Sequence, residues 1–390
     1  MKNRYQISER YKNLPTSIFS KIMKIAVEDK NVISLGPGEP DFETPEHIKE
    51  AAFKAIDKGQ THYSSPQGMK ELREAISQKL EKENEIDVSP EEIIVTCGSQ
   101  EALFLATMAL IDPGEKIIIP DPGFLAYKPM IESLTGIPVP IQLKEERNFT
   151  FEVEELEGLI DKRTRAIILN SPNNPTGSIL TKKILEKVAD VAIQHDLIIF
   201  SDEAYEKFVY DKNKHISIAS LNGMGDRVLT FQSFSKTYAM AGFRVGYVAG
   251  PKEMIEAMSK LHLYTTVSAP TPSQAAALEA LKGDQSCVKN MIKEYERRRD
   301  MIIKRLNEIP KITCQKPGGA FYAFPNISRW GSSQKFSEFL MKKAKVLVVP
   351  GTEFGIYGEG YVRMSYATSY EKIEEAMDRI ERTLKGINKL

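Results

Sequence analysis

The chain has 390 residues, 42% of them apolar, with 53 basic and 53 acidic residues and a formal net charge of zero. That balance argues against a surface for nucleic acid or anionic membrane, and the length suits one large and one smaller domain. Residues 1–14 are polar and charged, without a signal peptide's apolar stretch, and the longest apolar run, 102–111, is about half the ~20 residues of a membrane span, so a cytoplasmic protein is expected.

Thr44-Pro45-Glu46 has the form of an N-cap, a first-turn proline and a dipole-favouring acid, opening a helix to about residue 58. Another helix follows Gly68. Short apolar, β-branched runs then recur at 93–96, 116–120, 166–169, 197–201 and 228–232, with a further strand at 246–249. Helical patterns lie between them, at 101–111 and at 182–195, where Leu185, Val188 and Ala192 keep three- and four-residue spacing. This alternation predicts an α/β fold: a mostly parallel central sheet covered by helices on both faces. Past Gly283 comes a long charged helix, 287–308, with Met291, Tyr295, Ile302 and Leu306 on one side. Short strands follow near 320–324, 346–349 and 361–366, flanked by helices 335–345 and 371–384. They predict a second, smaller α+β domain. The expected division is 1–40 as an N-terminal arm and part of the small domain, 41–290 as the large domain and 291–390 as the small one.

In open α/β sheets, ligands bind beyond the carboxyl ends of the strands. The first run is followed by Cys97-Gly98-Ser99-Gln100, a glycine turn opening a helix and offering N–H groups to an anion. Asp121-Pro122-Gly123-Phe124 supplies an aromatic ring, and Asn170 to Gly177 a turn rich in amides. Asp202-Glu203-Ala204-Tyr205 adds a carboxylate and a phenol, and Ser233-Phe234-Ser235-Lys236 adds hydroxyls and an amine, with Arg244 beyond. A lysine condenses with aldehydes once it loses a proton, which a free one holds up to ~10.4. Two serines and an arginine beside it suit a phosphate. Each part has an ordinary reading: Gly98 as a strand terminator, Phe124 as core, Asn174-Pro175 as a turn, Asp202 as a helix cap, Arg244 as an ion pair. Their coincidence at the ends of five strands favours a site, and a phosphorylated aldehyde points to pyridoxal phosphate.

Two rival motifs fail. Ser233-x-x-Lys236 fits the Ser-x-x-Lys of penicillin-recognising enzymes, but Thr237-Tyr238 follows where they carry Thr-Gly, and no Ser-Asp-Asn occurs. Gly36-Pro37-Gly38 is followed by Glu39-Pro40-Asp41, not by the helix and third glycine of a dinucleotide loop. Cys97, Cys287 and Cys314 form no Cys-x-x-Cys pair and are read as buried free thiols; the five histidines show no close pair, so no metal site is expected.

With Asn174-Pro175-Thr176-Gly177, Asp202-Glu203-Ala204-Tyr205, Ser233-Phe234-Ser235-Lys236 and Gly242-Phe243-Arg244, the chain resembles a class I aminotransferase of the fold-type I pyridoxal-phosphate enzymes. The resemblance runs from Ser34–Phe42 to 361–365, and within the class it is to the prokaryotic branch that includes archaeal aromatic and aspartate aminotransferases. It implies that Lys236 forms the Schiff base, Asp202 pairs with the protonated pyridine nitrogen, Tyr205 and Asn174 bond the ring oxygen, and Phe124 stacks on the ring. It assigns the phosphate to Gly98, Ser99, Gln100, Ser233, Ser235 and Arg244, and the substrate carboxylate to Arg363 with Gly38, Phe124 and Asn174 nearby. Tyr63 resembles a tyrosine that reaches the neighbouring subunit's phosphate, which implies a homodimer with shared active sites, and in the family the second domain moves to close the site. Many relatives carry tryptophan or tyrosine where Phe124 lies. No extra cation for an aspartate side chain is identified, so the expected order of donors, aromatic first, then aspartate and alanine, with 2-oxoglutarate as acceptor, rests on the resemblance. A carbon–sulfur lyase on the same fold is the alternative; a regulator would carry an added DNA-binding segment.

Overall fold

The computed structural model describes residues 31–387 together with residues 7, 8, 12, 14 and 29, so most of the expected N-terminal arm lies outside the described residues. In chain order the strands are β1 (Ile33–Ser34), β2 (Ile93–Thr96), β3 (Lys116–Asp121), β4 (Ile137–Gln142), β5 (Thr164–Asn170) and β6 (Ile198–Asp202). They continue with β7 (Val228–Ser233), β8 (Gly246–Ala249), β9 (Tyr322–Ala323), β10 (Val346–Leu347), β11 (Val349–Pro350) and β12 (Val362–Ser365). A seven-stranded sheet has the order β2-β8-β7-β6-β5-β3-β4. The pairs β3/β4, β3/β5, β5/β6 and β6/β7 are parallel, while β8 runs antiparallel to both β2 and β7. The mostly parallel sheet expected from sequence is therefore present, with one reversed strand inside it.

Alternation along the strands explains why both faces are covered. Ile117, Ile119, Ile168, Phe200, Leu229 and Phe231 pack with helices Ser99–Leu110 and Lys252–Thr265. Their neighbours Ile118, Ile167, Leu169, Ile199 and Val228 face the other way, onto Leu185, Val188 and Ala192 of helix Lys182–Gln194. The second layer also takes in Phe324, Leu347, Val349 and Phe354 from the C-terminal part of the chain. That part holds a three-stranded antiparallel sheet, β11-β12-β9, and β10 pairs in parallel with β1. Among the described residues, no helix is long and apolar enough to cross a membrane.

Several local expectations are corrected. The first helix begins at Glu46 behind Pro45, and Thr44 does not cap it: its hydroxyl donates to Ala239 O at 2.6 Å. The single strand expected at 346–349 is two, because its halves serve different partners, β1 and β12. The helix expected at 335–345 is α-helical over Ser333–Phe339 and continues as a π-helix over Leu340–Ala344. Strand β4, Ile-Pro-Val-Pro-Ile-Gln, escapes sequence reading because of its prolines; it lies at the sheet's edge, where a proline costs no ladder bond on the open side. All three cysteines are free, but only Cys314 is buried.

One contact ties the end of β3 to the C-terminal part. Both oxygens of the buried Asp121 carboxylate accept backbone N–H groups, from Ile356 and Tyr357 at 3.0 Å each. Gly355 permits the approach: its φ is +132°, and an added Cβ would lie 2.0 Å from Asp121 Oδ1. Gly355→Ala is expected to lower stability by about 1–3 kcal/mol in chemical denaturation. Gly225→Ala, where nothing lies within 4 Å of the new carbon, should stay within ~0.5 kcal/mol. Equal effects would show that the Asp121 contact does not constrain the loop.

Candidate active site

Strand β2 is antiparallel to β8, which is antiparallel to β7, so β2, β3, β5, β6 and β7 all end on one side of the sheet. There lies a cavity of about 340 Å³. It is lined by Gly38, Gly98, Ser99, Gln100, Phe124, Asn174, Asp202, Tyr205, Ser233, Ser235, Lys236, Arg244 and Arg363. Of the residues singled out in the sequence, only Tyr63 is elsewhere: it is 81% exposed on a segment held by the Thr271 hydroxyl bonding His62 O and Gln274 Nε2 bonding Ser64 Oγ.

Asp202 is the last residue of β6 and is buried. Its Oδ2 accepts the Tyr127 hydroxyl at 2.6 Å and its Oδ1 the Ala204 N–H at 3.3 Å. Burial lifts its carboxyl above the usual range, although both bonds pull it down. Lys236 follows β7 in the short helix Phe234–Thr237 and donates from Nζ to Gly38 O at 2.6 Å. Burial lowers its pKa to about 8; the carboxylate of Glu39 opposes that, and the charges of Arg363 and Arg244 add to it. An amine in that state is available as base and nucleophile near neutral pH.

Arg363, in β12, is buried beneath the cavity. Its guanidinium donates to Asn174 Oδ1 at 2.9 Å and to Gly36 O at 2.6 Å, and lies 4.5 and 4.7 Å from the ring centres of Tyr322 and Phe354. Its Nε has no partner, and among the described residues no carboxylate pairs with it. Burial lowers its pKa. Because Asn174 Oδ1 is engaged by Arg363, the other end of that amide, its NH₂, is the donor left for a ligand.

The Cys97-Gly98-Ser99 turn shows how closely the cup is built. Gly98 has φ +92° and caps helix Ser99–Leu110; a Cβ there would meet Arg244 Nη2 at 2.7 Å. Arg244 donates to Cys97 O at 3.1 Å and Ala241 O at 3.0 Å. First-turn amides of a helix have no internal acceptor and suit an anion.

Two residues were missed in the sequence. Tyr127 orients Asp202, and its three-residue spacing from Phe124, whose ring it meets edge-on at 5.5 Å, was the available signal. Tyr322 lines the cavity with its hydroxyl 2.7 Å from that of Tyr205. It sits in a Phe-Tyr-Ala-Phe run that looks like plain core, so nothing in the sequence marked it.

These observations fit pyridoxal 5'-phosphate. A buried carboxylate without a cation, a buried guanidinium without an anion, a lysine near neutrality and a glycine cup beside an arginine match its pyridinium, its amino-acid adduct, its aldehyde and its phosphate.

The sequence matches the family described as aminotransferase class I and II over residues 30–380. An aromatic-amino-acid aminotransferase of Thermococcus litoralis is 49% identical over 383 residues, covering 97% of this chain and 98% of its own. An aspartate aminotransferase of Pyrococcus abyssi is 50% identical over 383 residues with the same coverage. Among solved structures, an aromatic aminotransferase from Pyrococcus horikoshii superposes with a TM-score of 0.89 at 50% identity, covering 93% of this chain and 98% of its own. The Thermus thermophilus aspartate aminotransferase with maleate gives 0.93 at 37%, covering 97% and 100%.

In the cofactor-free protein, acylation of Lys236 followed against pH by mass spectrometry should reach half its limiting rate near about pH 8. Arg363→Gln should move that midpoint upward. A wild-type midpoint near the ~10.4 of a free lysine would contradict the site's electrostatics.

Proposed function

We propose, for a chain that belongs to the class I and II aminotransferases and moves amino groups between amino acids and 2-oxo acids with pyridoxal 5'-phosphate, that aromatic amino acids are its preferred donors, ahead of aspartate and alanine, and 2-oxoglutarate its acceptor. Relatives named for aromatic amino acids and for aspartate are about equally similar, so their names do not rank the substrates. One observation carries the order. Among the described residues, the cations lining the cavity are Lys236, Arg244 and Arg363, and each has another task in this reading. A second carboxylate therefore finds no cation of its own, while Phe124, Leu125 and Tyr322 offer apolar and aromatic surface to a ring.

When bound, pyridoxal 5'-phosphate supplies an aldehyde that condenses with amines and a ring that takes up the electron pair left at Cα. Arg363 grips the α-carboxylate with two parallel bonds and so orients the Cα–H bond. Lys236, with its pKa lowered, would take the Cα proton and return it to the cofactor's carbonyl carbon, two bonds away. Asp202, held by Tyr127, would pair with the protonated ring nitrogen and keep that proton in place. Tyr205 and Asn174 would hydrogen-bond the ring oxygen, and Phe124 would stack on the ring. Gly98, Ser99, Gln100, Ser233, Ser235 and Arg244 would hold the phosphate.

In the same reading the protein is a cytoplasmic homodimer in which Tyr63, exposed here, reaches the partner's phosphate. The reading also divides the chain at about 40 and 290, and the β1/β10 pairing, which joins residues 33–34 to 346–347, supports placing part of the N-terminal segment with the small domain.

Lys236→Ala should abolish the visible absorbance of bound cofactor and multiple-turnover transamination; retained turnover would refute its role. Asp202→Ala should keep the cofactor's phosphate bound yet slow transfer by roughly 10²–10⁴-fold. Single half-reactions with a panel of amino acids should give phenylalanine or tyrosine a kcat/KM about tenfold above aspartate, or ~1.4 kcal/mol. Faster reaction with aspartate would overturn the aromatic order.

A further inference from the structure

We propose that His262 and Glu101 act as a positioning pair for the phosphate cup, with Glu101 fixing the Cys97-Gly98-Ser99 turn from below and His262 cancelling the negative charge that Glu101 would otherwise present to a bound phosphate. The inference rests on the reading that Gly98, Ser99 and Gln100 hold the phosphate.

Glu101 lies in the first turn of helix Ser99–Leu110. Its Oε2 accepts the Cys97 N–H at 2.5 Å, and its Oε1 accepts the Thr266 hydroxyl at 2.8 Å. The Gly98 N–H turns back to Thr96 O at 2.7 Å. The turn's own amides before the helix are thereby occupied, and the first helical amides, of Ser99 and Gln100, are the ones aligned for an anion. The same carboxylate is a liability: it stands within one helical turn of the site where a phosphate, itself negative, must sit. Unneutralised, it would repel that ligand.

His262 removes the repulsion. It comes from helix Lys252–Thr265 and is fully buried. Its Nδ1 lies 2.7 Å from Pro66 O, a carbonyl that can only accept, so Nδ1 carries hydrogen. Its Nε2 lies 3.3 Å from Glu101 Oε2, in charge contact without a hydrogen bond. Burial opposes the charged imidazole, but contacts with Cys97 and Glu101 win and raise its pKa to about 9. Correspondingly, Glu101 is lowered to about 2: burial opposes this, and His262 and the Cys97 N–H outweigh it. The pair is therefore ionised at neutral pH. The Cys97, Glu101 and His262 ligand atoms lie within 4.8 Å of one another, a spacing that could hold a cation. Glu101 takes one hydrogen bond on each oxygen, from the Cys97 N–H and the Thr266 hydroxyl, and a zinc titration distinguishes a proton on His262 from a metal ion.

Neither residue is among those lining the cavity, so the test separates positioning from folding. The full-length protein, freed of cofactor, is titrated with pyridoxal 5'-phosphate and with pyridoxal, which lacks the phosphate; the ratio of the two dissociation constants isolates the phosphate's share. In His262→Gln the wild-type preference for the phosphorylated form should fall about tenfold while pyridoxal affinity holds. The double variant Glu101→Gln/His262→Gln should regain most of it, because the uncompensated charge is gone. Equal loss for both ligands, or an unchanged ratio, would overturn the inference. If His262→Gln does not fold, Glu101→Gln alone decides: it should keep or increase the preference, and a decrease would overturn the charge argument. A wild-type ratio near one would instead overturn the phosphate reading itself. Zinc that stabilised the wild type but not His262→Gln would put a metal where a proton is proposed, and would also overturn it.

Discussion

Arg363 carries a full positive charge to a place where 3% of its surface meets solvent, with no carboxylate paired to it among the described residues. Taking an ion out of water costs several kcal/mol even after relaxation, and removing its compensation makes matters worse. The surroundings offset part of that with two acceptors, Asn174 Oδ1 and Gly36 O, and with the faces of Tyr322 and Phe354. Those four groups come from the turn after β5, the segment after β1, strand β9 and the loop before β12. Much of the molecule's long-range organisation thus converges on one guanidinium whose remaining need is an anion that the protein does not itself provide.

The same charge acts on its neighbours. Lys236 is held near neutrality chiefly by burial, but Arg363 and Arg244 push in the same direction while Glu39 and Asp202 resist. Asp202 shows the opposite imbalance, a buried carboxyl whose hydrogen bonds to Tyr127 and Ala204 do not fully repay its desolvation. A cavity that contains an under-satisfied cation, an under-satisfied anion and a neutral-leaning amine is poised for a ligand bearing the complementary set, because binding relieves costs already present in the fold.

Legibility from sequence followed the physics of each element. The buried parallel strands were plain because β-branched runs with helices between them have few other uses, and once they were placed, the residues after each strand had to share one end of the sheet. Asp202 and Lys236 were found that way. What stayed hidden depended on context. The prolines of β4 argue against a strand unless its edge position is known. Residues 346–350 form a continuous apolar run, and only the positions of β1 and β12 divide it. Tyr322 and the buried pair His262 and Glu101 gain their meaning from segments far away in the chain, and no spacing rule connects them.

Strand β12 has a further consequence. Its four residues are all buried, and Arg363 reaches the cavity while Met364, its neighbour, packs in the core. Successive residues of a strand face opposite ways, so a one-residue slip would exchange them. The register is pinned on both sides, Val349 opposite Arg363 and Ala323 opposite Met364. Tolerance to change around this strand is therefore a matter of parity as well as chemistry. A conservative replacement beside Arg363 leaves the guanidinium in place, whereas losing a single codon just ahead of it would turn the charge into the hydrocarbon core and set a thioether toward the cavity. Length variation among descendants of this gene should accordingly be rarer between β11 and β12 than the exposure of the intervening loop would suggest.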